Sequence, residues 1–275
     1  MYMSKAQKRG AARKKARRRR TKTAVPAGIE ARKKAKAPAE EPHVEKASYV
    51  LLNYTAKVKE TGDVIETTYE QQAREAGIYK AGVAYEPKLV VPGEGWLLRA
   101  VEEGLLGTKE SQTRVIEVPP EKAFGPRDPS KIRIVPLRKF ARKDVTPVMG
   151  GVVTLDDKQG VVRSVGSGRV QVDFNPPLAG KILAYECTVE KIILDEGEKL
   201  RALVHDRIPE IDISKFSLVG KGSDLTLDLP KESYLLPNLQ LAKRIIAKRI
   251  EDHFPDIETV IFVEKHVRER APEKL

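Results

Sequence analysis

All of the net charge of this chain sits in its first 47 residues, and that asymmetry decides which part of it can fold. Residues 1–47 carry 16 of the 51 Lys and Arg and 4 of the 39 Asp and Glu, leaving 35 bases and 35 acids for everything that follows. The segment is rich in Ala, Lys, Arg and Pro and poor in large apolar side chains. It cannot bury enough surface to offset its chain entropy and is expected to be a disordered tail when free. Within it Arg13, Lys14, Lys15, Arg17, Arg18, Arg19 and Arg20 form a run suited to neutralising phosphates, which points to sequence-independent contact with RNA, a ribosome included, or with DNA. An anionic membrane surface, a nuclear-localisation signal and a merely solvated tail stay open, since no aromatics interleave the bases to suggest stacking.

The remaining sequence limits the chemistry. Cys187 is the sole cysteine, so neither an intramolecular disulfide nor a thiolate metal cluster can form, and a reducing compartment is favoured. No apolar run approaches the roughly 20 residues of a membrane span, and the basic start has no apolar stretch behind it. The expectation is a soluble cytoplasmic protein with no membrane insertion. His43, His205, His253 and His266 are scattered without metal-ligand spacing, and there is neither a phosphate-cradling Gly-rich loop followed by Lys-Ser/Thr nor a Gly-x-Ser-x-Gly elbow. No metal and no cofactor are expected.

After Glu45 the texture changes to apolar alternation punctuated by turns. Ser48 to Lys59 alternates in period two, Thr61-Gly62-Asp63 supplies a turn and Val64 to Thr68 resumes, which predicts a hairpin. A short helix over Tyr69 to Ala76 is expected to end at Gly77, and Lys88 to Val91 reads as a strand. Gly93-Glu94-Gly95 leads into a helix from about Trp96 to Leu106, with Leu97, Val101 and Leu105 on one face. Ser111 to Val118 alternates again, and the next long strand, Lys181 to Leu194, comes only after some 60 residues. A lone helix with about five antiparallel strands predicts an α+β sheet wrapped on that helix.

The order GDVIETT, GEGWLLRAVEEGL, PPEKAFGPRDPSKI and VDFNPPLAGKILAYECTVEKI resembles the archaeal and SlyD-like FKBP-type peptidyl-prolyl isomerases that carry an insert-in-flap domain. The resemblance implies an FKBP-like domain over residues 48–127 plus 175–195, interrupted by an all-β insert over 128–174. There, Ile132–Ile134, Val152–Leu155, Val161–Val165 and Arg169–Phe174 read independently as short strands, with Gly166-Ser167-Gly168 as a hairpin turn. It further implies that the insert binds unfolded chains and passes prolyl segments to a pocket, although a purely structural β-domain would look the same.

Rotating an X-Pro bond means breaking amide resonance, a barrier of about 18–20 kcal/mol, and requires no nucleophile. The twisted state is less polar than the planar amide, so an apolar pocket that strips water favours it. By resemblance Tyr54, Phe124 and Tyr185 are the aromatic residues of that pocket, Ile65, Leu97, Leu98, Val101 and Leu178 bind substrate, and Glu66 stands near the substrate carbonyl. By periodicity alone Ile65, Leu97 and Val101 would be ordinary core. Phe124, beside Gly125-Pro126 in a loop, has little reason to be core. The chain departs from the family at Glu66, where aspartate is usual, at Ala100, where glycine is common, and at Pro176, where histidine usually follows Asn175. Trp96 is not the pocket-floor tryptophan of single-domain members, whose position is Val101. These departures imply low activity.

Residues 196–275 predict an αββαβ domain: a helix over Glu198–Arg207, strands Lys215–Val219 and Leu225–Leu229 around Gly220-Lys221-Gly222-Ser223, a helix over Leu239–Phe254 and a strand over Glu258–Val267. It resembles the C-terminal domain of the longer archaeal members, and dimerisation, client binding and nucleic-acid contact are equally open to it. Two functions follow from the whole chain. One is an isomerase and folding chaperone acting on proline-containing unfolded or nascent polypeptides, held near RNA or a ribosome by its tail. The other is a non-catalytic holdase or RNA-associated binding protein on the same fold.

Overall fold

The computed structural model describes residues 41–141 and 145–267. The alternation that begins at Tyr49 becomes the ten-residue strand β1 (Tyr49–Val58), which returns through Gly62, at φ +77°, into β2 (Val64–Thr67). Helix α1 (Glu70–Glu75) stops before Gly77, whose φ of +70° suits glycine. Then come β3 (Lys88–Val90), α2 (Arg99–Leu105) and β4 (Thr113–Val118). Beyond a four-stranded excursion, β5 (Ile132–Pro136), α3 (Leu137–Ala141), β6 (Val152–Leu155), β7 (Lys158–Gly166) and β8 (Arg169–Asp173), the chain re-enters the first sheet as β9 (Leu183–Ile193).

The first sheet is antiparallel, ordered β2-β1-β9-β4, with β3 also paired to β1. Strand alternation sends Val50, Leu52, Tyr54, Ala56 and Val58 to the face covered by α2, where they share one core with Val101, Leu105, Ile116, Leu183, Tyr185 and Cys187. Gly104 marks how closely α2 lies on β4, since a Cβ there would stand 2.8 Å from Ile116. Helix α2 is shorter than its periodicity suggests. Glu102 is only 3% exposed, and its carboxylate accepts hydrogen bonds from the N–H groups of Gly93 (2.9 Å), Gly95 (3.2 Å) and Leu97 (2.9 Å). Those bonds wrap the approach to the helix around one side chain, and regular turns begin at Arg99.

The inserted strands form their own sheet, ordered β5-β8-β7-β6, around Val135, Phe140, Val153, Leu155, Val162, Val170 and Val172. The expected strands and the turn at Ser167 and Gly168 are present, while the short helix α3 had no counterpart in the sequence reading. Where the two connecting segments cross, Asp173 is buried and binds Arg163 at 3.0 Å, Arg127, and both the backbone and the side-chain amide of Asn175. Asn175 in turn bonds the backbone of Asp128 through both ends of its amide.

The last segment is the expected αββαβ unit: α4 (Glu196–Arg207), β10 (Ser217–Lys221), β11 (Asp224–Leu229), α5 (Leu239–His253) and β12 (Thr259–Glu264). Asp195 caps α4 by accepting from the N–H of Glu198 at 2.9 Å. Strand β10 extends to Lys221, so the hairpin turn is the tighter Gly222-Ser223, and β12 joins β11 in parallel. The core of this unit continues onto the first sheet, taking in Tyr49, Leu89, Val91 and Ile193. The start of β1 and the end of β3 are thus covered on both faces. Among the described residues no helix is long and apolar enough to cross a membrane.

Candidate functional site

The strand and helix packing collects most of the residues singled out above in one place. Tyr54 on β1 and Tyr185 on β9 are both buried, with ring centroids 6.0 Å apart. Around them Ile65 (β2), Leu97 and Leu98 (the segment entering α2), Ala123 and Leu178 are half-buried and packed against the same core. Val101 belongs to this cluster too, but it is 0% exposed. It lies inside the core and offers no surface of its own. Phe124 stands apart from the cluster and is 46% exposed, at the loop end where Gly125 accepts a hydrogen bond from the N–H of Gly180. The two segments that flank the inserted sheet meet at that contact.

Glu66 is the carboxylate of the site. Its Oε1 accepts a 2.5 Å hydrogen bond from the Tyr54 hydroxyl and lies 3.1 Å from Lys88 Nζ, which is also 3.5 Å from the Tyr54 oxygen. Both donors bind the same oxygen. Burial first, and the bond to Glu66 second, push the Tyr54 hydroxyl far above the usual phenol range. Burial, aided by the nearby Glu66 charge, pushes Tyr185 up to about 12. Cys187, sealed in the core, is likewise raised to about 12 by burial, so it is no thiolate nucleophile. The site is therefore apolar and aromatic, with neutral phenols and one oriented carboxylate. Such a surface can desolvate and orient an amide without forming a covalent bond.

Two participants escaped the sequence reading. In sequence Lys88 is only a strand residue, and it reaches Glu66 because the register sets it opposite Leu52, on the side of the sheet that carries Tyr54. Glu102 was visible as an acidic residue shortly after two glycines, the signature of free backbone N–H groups that a carboxylate can gather. The basic run Arg13 to Arg20 lies outside the described residues. Among the described residues no group of His, Cys, Asp and Glu is arranged to hold a metal ion.

Comparison with known proteins agrees with this architecture segment by segment. Residues 40–139 match the FKBP-type peptidyl-prolyl cis-trans isomerase family, residues 133–178 the FKBP26 IF domain and residues 196–267 the FKBP26 C-terminal domain. A short-type peptidyl-prolyl cis-trans isomerase of Methanocaldococcus jannaschii is 32% identical over 155 residues, 56% of this chain and 98% of the relative. A probable FKBP-type 16 kDa isomerase of Pseudomonas fluorescens is 29% identical over 51% of this chain and 85% of its own length. The isomerase SlyD of Helicobacter pylori is 25% identical over 50% of this chain and 77% of its own. The match to nearly the whole of the methanogen isomerase, together with the inserted and C-terminal matches, makes this chain a member of the FKBP-type peptidyl-prolyl cis-trans isomerases, in the branch with a domain inserted in the flap and a further domain after it.

Proposed function

We propose that this chain binds X-Pro segments of unfolded or newly made polypeptides against Tyr54, Ile65, Leu97, Leu98, Leu178 and Tyr185, and accelerates their cis-trans rotation there. The observation that carries this reading is the convergence of two buried tyrosines and a half-buried aliphatic rim on one carboxylate. The aliphatic rim removes water from the prolyl amide, which favours the less polar twisted state over the planar one. Glu66, one oxygen of which is already bound by Tyr54 and Lys88, orients the segment. Phe124, exposed on the flap, closes over the proline, and Val101 backs the lining residues from within the core without meeting substrate.

Chaperone capture belongs to the inserted sheet, a role supported by its outer surface. Ile134, Val148, Met149, Val152 and Val165 are all exposed there, Met149 by 79%, and an exposed apolar surface of this kind suits unfolded chain. The basic tail supports a second, separate contact with RNA, a ribosome included, in the cytoplasm.

A protease-free isomerisation assay on a short X-Pro peptide and on a slow-refolding protein tests the first reading, with Phe124→Ala as the comparison. Acceleration by the wild type and its loss in the variant is the expected result. No acceleration of either substrate, with aggregation still suppressed, leaves a holdase. Ribosome co-sedimentation by a chain lacking residues 1–46, equal to that of the full chain, would sink the tail's assignment.

A further inference from the structure

The segment that enters α2 belongs to two cores at once. Leu97 and Leu98 pack into the core that holds Tyr54 and Tyr185, whereas their neighbour Trp96 packs into the core of the C-terminal unit. Trp96 is gripped there by α5. The Arg249 guanidinium lies over its ring, 3.7 Å from the centroid, and the His253 ring meets it edge-on at 6.3 Å. Arg249 is only 15% exposed, and it is aimed by a 2.6 Å hydrogen bond to Asp206 on α4, which also holds Arg207 at 2.6 Å. His253 contacts Tyr49 at 5.6 Å and stands 3.9 Å from Glu94, within the same segment. On its inner side the segment is fixed by Glu102, which takes the N–H groups of Gly93, Gly95 and Leu97.

From this arrangement we infer that Arg249 of the C-terminal unit is a positioning residue for prolyl isomerisation, acting through Trp96 to hold Leu97 and Leu98 where the substrate proline meets them. The inference rests on the assignment of the prolyl site proposed above. A largely buried guanidinium over an indole is a directional contact. Here it joins adjacent residues of one short segment, so a change in the grip on Trp96 is passed to Leu97 across a single peptide bond. The C-terminal unit thereby acquires a role in catalysis without touching substrate. The coupling is reciprocal: a proline seated on Leu97 and Leu98 alters the surroundings of the indole.

Trp96 is the one tryptophan of the chain, so its emission reports this contact directly. The experiment uses the full chain as wild type, Arg249→Met, Arg249→Lys and Leu97→Ala, with an Ala-Leu-Pro-Phe peptide as both substrate and titrant. Arg249→Met is expected to raise KM about fivefold, to leave kcat within about twofold, and to abolish the peptide-induced change in Trp96 emission. Arg249→Lys, which keeps a cation over the ring, is expected to recover both. A wild-type KM and a wild-type emission response in Arg249→Met overturn the inference. If that variant fails to fold, Asp206→Asn, which keeps Arg249 but removes its anchor, is read by the same two measurements and the same criterion. Unchanged kcat/KM in Leu97→Ala defeats the assignment of the prolyl site itself, whereas loss in Leu97→Ala beside wild-type behaviour in Arg249→Met defeats only the coupling.

Discussion

Lys88 and Glu66 meet at 3.1 Å although they lie on separate strands, β3 and β2, that share only their partner β1. The pair is half exposed, so its worth is that of a surface ion pair. Replacing Lys88 with methionine leaves Glu66 to the Tyr54 hydroxyl alone. Peptide kcat/KM is then expected to fall about two- to fivefold, the size of a contact worth up to ~1 kcal/mol, and much of the salt dependence of the wild-type value should vanish. Isomerisation measured at low and high salt checks both.

The phenols give a prediction at the alkaline end. Tyr54 is raised by burial and by its bond to Glu66, and Tyr185 is raised by burial to about 12. A group whose native value lies above its unfolded one stabilises the fold fully below the unfolded value, here 10.0, and the contribution disappears as pH climbs through the native value. Isomerase activity should therefore show no tyrosine-linked break up to pH 10, and stability should decline beyond it. An ultraviolet titration run beside thermal melts tests this. A native chain whose tyrosines all ionise near pH 10 contradicts it.

Asp173 gives the opposite sign. Burial works to raise its pKa, but the backbone and side-chain amide of Asn175, followed by Arg163 and Arg127, outweigh burial and hold it well below its ordinary 3.8. Its contribution is present above the unfolded value and is lost as pH falls toward the native one. Asp173→Asn is expected to cost about 2 kcal/mol at pH 7, less than a fully buried pair because both arginines are partly exposed. The gap between variant and wild type should narrow below pH 4. Because the residue ties the inserted sheet to the segments that carry it, refolding of a protein substrate should suffer more than turnover of a short peptide.

Gly104 tests the packing beneath the site. A methyl group added there meets Ile116 at 2.8 Å, so Gly104→Ala should destabilise by about 1–3 kcal/mol as an overpacked core does, despite the better helix propensity of alanine. A denaturant midpoint equal to or above wild type would show that α2 can lift from β4.

What could be read in advance follows from what is local. Alternation is a property of neighbours, and so β1, β4, β9 and three of the four inserted strands are legible within a residue or two, as is the αββαβ order of the last segment. Strand β7 begins three residues before the expected Val161, because Gly160 and its polar neighbours Lys158 and Gln159 carry no apolar alternation. Helix α2 was misplaced at its start because Trp96 and Leu97 fit a helical stripe, while the Glu102 carboxylate draws the backbone before Arg99 out of the helix and leaves Leu98 extended at ψ 131°. Five residues are too few to display a period, which hid α3. In the site, Tyr54, Glu66 and Tyr185 came from the pattern of motifs. Lys88 required the register of β3 on β1, and Arg249 beside Trp96 required the docking of a helix from far along the chain.

The apolar patch that the first sheet turns toward the C-terminal unit also bears on how such a protein can gain or lose parts. Tyr49, Leu51, Leu89, Val91 and Ile193 face the C-terminal unit, not solvent. A chain stopped after Leu194 would expose this apolar stripe on a sheet that is otherwise complete, and would be expected to self-associate. Shedding the C-terminal unit in evolution, or in the laboratory, therefore takes more than a stop codon. Tyr49 and Leu51 on β1, Leu89 on β3, Val91 just after it and Ile193 on β9 all have to be rewritten as polar, while their neighbours Val50, Val90 and Ile192, which belong to the core on the opposite face, are left untouched.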